Sequence, residues 1–170
     1  MSNLKNSTKP ILVLGIGNIL KADDGVGVHA IEKMRDEIAS DEVEVFDGGT
    51  AGLDLLSVVA SRRMVLVVDA VDGGGDPGTL YRFTPEDISD TLLRWDSLHQ
   101  VGLLETLRMA LLTGRGPKET IIIGVQPEVV DWGLSLSPTV AGQLPRLIDR
   151  VKLELEIALS GEKNINENKC

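Results

Sequence analysis

The side chains best suited to chemistry in this chain are carboxylates and an imidazole: Asp23 beside Asp24, then Asp69, then His99. The first two close the segment Leu12-Val13-Leu14-Gly15-Ile16-Gly17-Asn18-Ile19-Leu20-Lys21-Ala22-Asp23-Asp24-Gly25-Val26-Gly27, an apolar run followed by a glycine-rich turn. A strand, a glycine-rich turn and a helix start are the parts of a phosphate cradle. Here the dinucleotide pattern fails, because Leu20 stands where a third glycine is required. Two carboxylates at a helix N-terminus also repel the pyrophosphate that such a turn attracts. An acidic turn suits a cation or a proton instead. The pair has a plainer reading, since Asp is a preferred N-cap and acidic residues in a first helical turn gain from the dipole. One cap uses one Asp, however, and Gly25 and Gly27 weaken a helix start. The second carboxylate therefore reads as functional.

Asp69 ends the run Val65-Leu66-Val67-Val68-Asp69. A carboxylate closing a buried strand is costly unless it is solvated or paired, and Asp72, three residues on, competes for whatever role Asp69 has. His99 lies in Ser97-Leu98-His99-Gln100. With Ser97 as N-cap and Gln100 completing a capping box, His99 falls in a first helical turn, where the dipole disfavours the imidazolium. Neutral imidazole is the form that ligates a metal. His29, inside the first helix, reads as a packing or surface residue. Two carboxylates and one imidazole make a three-ligand set with a position left for water or substrate. The chain lacks His-Glu-x-x-His, Gly-x-Ser-x-Gly and a Walker lysine motif, which disfavours a conventional zinc protease, serine hydrolase or P-loop enzyme.

These residues must be positioned by a scaffold that the apolar pattern outlines. Strands are expected over about 11–16, 43–46, 64–68, 79–83 and 120–125, and helices over about 24–38, 51–60, 97–112 and from Ser137-Pro138 onward. Pro145 should kink that last helix or mark a later start. Residues 72–78, Asp-Gly-Gly-Gly-Asp-Pro-Gly, read as a flexible loop. Alternating strands and helices imply an α/β fold in three layers, a doubly wound sheet with helices on both faces. If strand one is flanked by strands two and three, the crevice beyond their carboxyl ends holds the loops that start at Gly17 and Asp69.

Composition agrees. Of 170 residues, 42% are apolar but only 3% aromatic, so the core is built from Val, Ile, Leu and Ala, as in a sheet buried on both faces. The expected organisation is a single α/β domain over 10–160 between disordered tails at 1–9 and 161–170. A net charge of −9 disfavours nucleic acid or an anionic membrane as partner. The polar N-terminus lacks a signal-peptide core, and no apolar run approaches a membrane span. The single Cys170 is terminal, so no internal disulfide forms and a cytoplasmic location is expected. On a polar tail its thiol has no activating neighbour.

Several motifs occur together and in order: Gly15-Ile-Gly-Asn-Ile-Leu-x-x-Asp23-Asp24-Gly-Val-Gly27, Asp47-Gly-Gly-Thr-Ala-Gly52, Val68-Asp69-Ala-Val, Asp76-Pro-Gly78, His99-Gln-Val-Gly102 and Gly124-Val-Gln-Pro-Glu128. This combination, running from about residue 11 to 155, resembles the [NiFe]-hydrogenase maturation endopeptidases. The resemblance implies a five-stranded, mostly parallel twisted sheet with helices on both faces. One strand is antiparallel, and the strand after Asp76-Pro-Gly78 is the one expected. It also implies an activity: cutting the C-terminal extension from a hydrogenase large-subunit precursor after nickel insertion. Motif by motif, the family's nickel-contacting residues fall on Asp24, Asp69 and His99, the set already singled out; Asp24 is the shorter of the two acids used at its position.

Three mechanisms stay open at this level. The residues could recognise nickel borne by the substrate while water attacks the nearby peptide bond, which is the favoured version. They could hold the enzyme's own divalent ion, or act as general bases without one. Asn18, Gly48, Gly49 and Thr50, with the 73–78 loop, are candidates to hold the substrate tail. Two other classes compete: a nucleotide-binding module using Gly15 and Gly17 with Asp47 on a ribose, and a non-catalytic scaffold that binds nickel or a hydrogenase subunit. The acidic turn opposes the first, so a thermal-shift measurement with NAD or ATP should show no stabilisation. A clear upward shift would restore the nucleotide reading.

Overall fold

The computed structural model describes residues 8–87 and 98–167, with the backbone alone at 98, 99 and 162–167. Ser97 and Cys170 lie outside the described residues. Five strands, β1 (Ile11–Ile16), β2 (Val43–Gly49), β3 (Met64–Ala70), β4 (Leu80–Phe83) and β5 (Glu119–Val125), form one sheet in the order β2-β1-β3-β5-β4. All neighbours are parallel except β4, which runs antiparallel to β5. Residues 71–79 contain no helix to return the chain to the far edge. β4 therefore starts where β3 ends and runs back, as expected after Asp76-Pro77-Gly78.

Helices α1 (Val26–Met34), α2 (Leu56–Val59), α3 (Leu98–Leu112) and α4 (Pro138–Glu167) complete three layers. Side chains alternate across the sheet. Ile11, Val13, Leu66, Val68, Ile121 and Ile123 pack with α1 and α4. Leu12, Leu14, Ile16, Val65, Val67 and Ile122 pack with α2 and α3. Among the described residues, no helix is long and apolar enough to cross a membrane. Buried Glu154 secures α4 to the sheet edge by accepting from Arg82 of β4 at 2.7 Å and pairing with Arg150 at 2.9 Å. The Arg82 hydrogen bond outweighs burial and holds the Glu154 carboxyl below the usual carboxylate range.

Several boundaries depart from the periodicity. β2 continues past Phe46 to Gly49 because the chain bulges: Gly15 pairs with Asp47 and Ile16 with Gly49, leaving Gly48 as the extra residue. The helix expected over 51–60 is a 3₁₀ turn, Leu53–Leu55, followed by the single α turn of α2. The helix expected from residue 24 opens instead as a 3₁₀ turn, Ala22–Gly25, and α1 ends at Met34, whose carbonyl then accepts from Glu37 and Ile38. Pro145 lies within α4 without delaying its start. Ser137 caps that start, its Oγ accepting from the Val140 N–H at 3.2 Å. α4 is carried on to Glu167, past the boundary expected at 160.

The first turn of α1 lies directly on the ends of β1 and β3. A Cβ at Gly27 would stand 2.2 Å from the carbonyl oxygens of both Ile16 and Val68. Backbone cannot yield as a side chain can, so Gly27→Ala should cost on the order of 1–3 kcal/mol or more. Urea unfolding checks this, and an unchanged midpoint would show that α1 does not depend on the close approach.

Candidate active site

β1 lies between β2 and β3, so strand order reverses there, and ligands of such sheets bind beyond the carboxyl ends at that point. The turn after β1 brings Asp24 to this end. Gly17 makes the turn possible: its φ is 133°, and a Cβ would stand 1.8 Å from the Asp24 carbonyl oxygen. Asp24 is nearly buried, and its Oδ2 accepts from the Asn18 N–H at 3.2 Å. The 3₁₀ turn that carries it packs against β3.

Asp69, at the end of β3, is fully buried. Its Oδ1 accepts from the Ala70 N–H at 2.8 Å. Its Oδ2 accepts from Gln100 Nε2 at 3.0 Å, and the same nitrogen donates to the Ala70 carbonyl at 2.6 Å. Gln100 thus ties the start of α3 to the end of β3. His99 is the second residue of α3 and precedes Gln100 in the chain; its side chain lies outside the described residues. The described side chains contain no group of three or more His, Cys, Asp and Glu arranged to hold a metal, and the set Asp24, Asp69 and His99 includes one side chain beyond that description.

The acidic pair divides its work in a way the sequence reading did not anticipate. Neither Asp23 nor Asp24 caps its own helix by a side-chain hydrogen bond. Asp23 is fully buried and accepts three main-chain N–H groups from the loop between β5 and α4: Ser137 at Oδ1 (2.6 Å), and Glu128 and Val129 at Oδ2 (2.9 Å each). It is a structural clamp, whereas Asp24 bonds within its own turn, to the Asn18 N–H.

Asp72 belongs to a different network. Its Oδ1 accepts from Gln126 Nε2 at 3.0 Å and from the Gly74 N–H at 3.2 Å. Gln126 Oε1 accepts from the Gly73 N–H and the Tyr81 hydroxyl, whose oxygen accepts from the Gly75 N–H. The glycine loop expected to be flexible is therefore hydrogen-bonded along its length. Of the residues expected to hold substrate, Asn18 accepts from the Leu20 N–H through Oδ1, and the Gly49 carbonyl accepts from the Gly17 N–H at 2.9 Å. Gly48 is buried in the bulge and Thr50 is exposed. His29 faces Glu32 at 3.6 Å one turn along α1, a packing position.

Gln100 and Gln126 were not legible as parts of this end of the sheet. The capping box expected of Gln100 involves Ser97, which lies outside the described residues; the Gln100 amide nitrogen also donates to partners about 30 residues away in sequence. A cavity of about 310 Å³ with a mixed lining, Leu104, Leu107 and Leu111 facing Glu86, Arg108 and Lys118, lies toward the far end of α3 and shares no residue with the cluster.

Comparison with known proteins follows the same outline. A family model described as hydrogenase maturation protease matches residues 28–154. The hydrogenase expression/formation protein HupD of Bradyrhizobium diazoefficiens is 43% identical over 142 residues, covering 82% of this chain and 74% of its own length. The hydrogenase 2 maturation protease of Escherichia coli is 37% identical over 143 residues, covering 83% and 87%. The solved structure of the hydrogenase maturating endopeptidase HybD from E. coli superposes with a TM-score of 0.79 at 35% identity, over 87% of this chain and 93% of that one.

The clamp assignment predicts a stability effect. In Asp23→Asn an amide NH₂ replaces one acceptor oxygen and faces a main-chain donor, so about 2–3 kcal/mol should be lost in chemical unfolding. Wild-type stability in this variant would contradict the clamp.

Proposed function

The chain belongs to the hydrogenase maturation protease family, and on that premise we propose that it removes the C-terminal extension of a [NiFe]-hydrogenase large-subunit precursor once nickel is in place. It is a hydrolase of the endopeptidase class, as its relatives are. In the proposed reaction Asp24, Asp69 and His99 converge on nickel carried by the substrate, which brings the adjacent peptide bond into the crevice. Water adds to the scissile carbonyl carbon while a carboxylate accepts its proton. The C–N bond then breaks, and the proton passes to the departing amine.

One observation carries this reading above the others: the hydrogen bond from Gln100 to Asp69. It supports the convergence because it holds the α3 turn bearing His99 at the end of β3, against which the turn bearing Asp24 also packs. Carboxylate oxygens and an imidazole nitrogen suit a borderline divalent ion such as nickel. The chain then reads the metal as a sign that the precursor is ready to be cut.

Mass spectrometry of precursor incubated with the protein tests the proposal. Nickel-loaded precursor should be shortened, and nickel-free precursor should remain intact; equal cutting of both would exclude recognition through the metal. Asp24→Asn, Asp69→Asn and His99→Ala should each lower processing by about 100-fold or more, with circular dichroism unchanged. Full processing by Asp69→Asn would remove that residue from the site. Co-elution with the precursor without any cleavage would favour a binding scaffold.

A further inference from the structure

The end of the sheet that carries Asp24 also presents an apolar platform. Ile19 and Leu20, between Asn18 and Asp24, are each about half exposed, and Val129 and Val130 of the β5–α4 loop are similarly open. Beside them Trp132 is 77% exposed and Leu134 73%. Isolated apolar residues on a surface need no explanation, but a contiguous patch of large ones marks an interaction site.

The two segments form one surface because their backbones are joined. The Gly133 N–H donates to the Leu20 carbonyl at 3.0 Å, and the Gly133 carbonyl accepts from the Ala22 N–H at 2.7 Å. The Asp23 N–H donates to the Val129 carbonyl at 3.1 Å, while the Asp23 carboxylate takes the N–H groups of Glu128 and Val129. Ala22 is held at φ 44°, a left-handed conformation costing a non-glycine residue on the order of 1 kcal/mol or more. This much constraint fixes the backbone that carries the apolar side chains, so less backbone entropy is lost when a partner covers them.

We propose that this platform, with Trp132 and Leu134 as its most exposed members, docks an apolar segment of the protein substrate beside the turn that carries Asp24 and contributes to affinity alone. The inference rests on the function proposed above and identifies where the precursor is gripped. Asp23 makes the coupling physical, since the residue that clamps the platform is the chain neighbour of Asp24. A second copy of this chain suits the surface less well. Permanent dimers usually bury about 2,000 Å² or more in total and are broadly apolar, whereas this patch consists of two loop segments. A protein substrate that binds, is cut and leaves suits a patch that adjoins the turn bearing Asp24. An exposed tryptophan, as at Trp132, is among the residue types that most often dominate such recognition.

The test measures binding separately from cleavage. Full-length large-subunit precursor from the same organism is titrated against the wild-type chain, Trp132→Ser, Leu134→Ser and the double variant, and its cleavage is followed at saturating concentration. Each single change should weaken binding about tenfold and the double change further, while the rate at saturation stays at the wild-type value. Because both side chains face solvent, the variants should melt at the wild-type temperature. Unchanged Kd in the double variant would overturn the proposal while leaving the cleavage reading intact. Loss of cleavage at saturation with unchanged Kd would also overturn it. If wild type binds the precursor but does not cut it, the functional reading fails and the Kd comparison still decides the platform. If wild type does not bind the precursor, the platform has no such occupant. A concentration-dependent dimer that disappears in the double variant would assign the surface to self-association instead.

Discussion

A fully buried carboxylate accepting three main-chain N–H groups is the constraint on which this end of the molecule depends. Placing the Asp23 charge out of water would be prohibitive alone. The amides of Glu128, Val129 and Ser137 replace the lost solvent with ionic hydrogen bonds of 2.6–2.9 Å. The exchange joins the turn after β1 to the loop after β5, two segments more than 100 residues apart in the chain. It also fixes the Ser137 cap that starts α4. The position of Asp24, the outward display of Trp132 and the entry of the last helix all follow from the same carboxylate.

Asp69 is anchored by a different economy of donors. A parallel sheet buried on both faces leaves its strand ends as the places where polar groups can gather, and Asp69 is the buried carboxylate at the end of β3. Gln100 satisfies one of its oxygens and the neighbouring carbonyl with a single amide group. The start of α3 is thereby drawn to the strand end, and Gly27 lets α1 approach the same end at backbone contact. Rigid elements rather than long loops bring Asp24, Asp69 and the backbone of His99 to one side of the sheet. This suits an endopeptidase that must hold a protein substrate at one defined bond.

The glycine loop between β3 and β4 shows how residues without side chains find partners. Three consecutive glycines have no side chains to anchor them, yet their N–H groups meet Asp72, Gln126 and the Tyr81 hydroxyl. Gln126 belongs to the loop that continues to the Asp23 clamp, so the glycine loop and the apolar platform rest on the same support.

Much of this was legible from the chain. Val, Ile and Leu runs with few aromatics point to a sheet covered on both faces, and their spacing marks out the strands along the chain. The ordered set of motifs points to the family, and that resemblance implies one antiparallel strand, expected after Asp76-Pro77-Gly78. These are local rules, written in periods of two and 3.6 and in turn chemistry, and neighbouring residues suffice to express them. The tertiary structure alone decided which of two identical, adjacent acids clamps the β5–α4 loop and which bonds within its own turn. It also decided that Gln100 serves Asp69 and that Gly48 is the extra residue of a bulge. Each of those outcomes is a choice of hydrogen-bond partner far away in sequence. Such partners are selected by how the strands are ordered in space, which no short stretch of residues encodes.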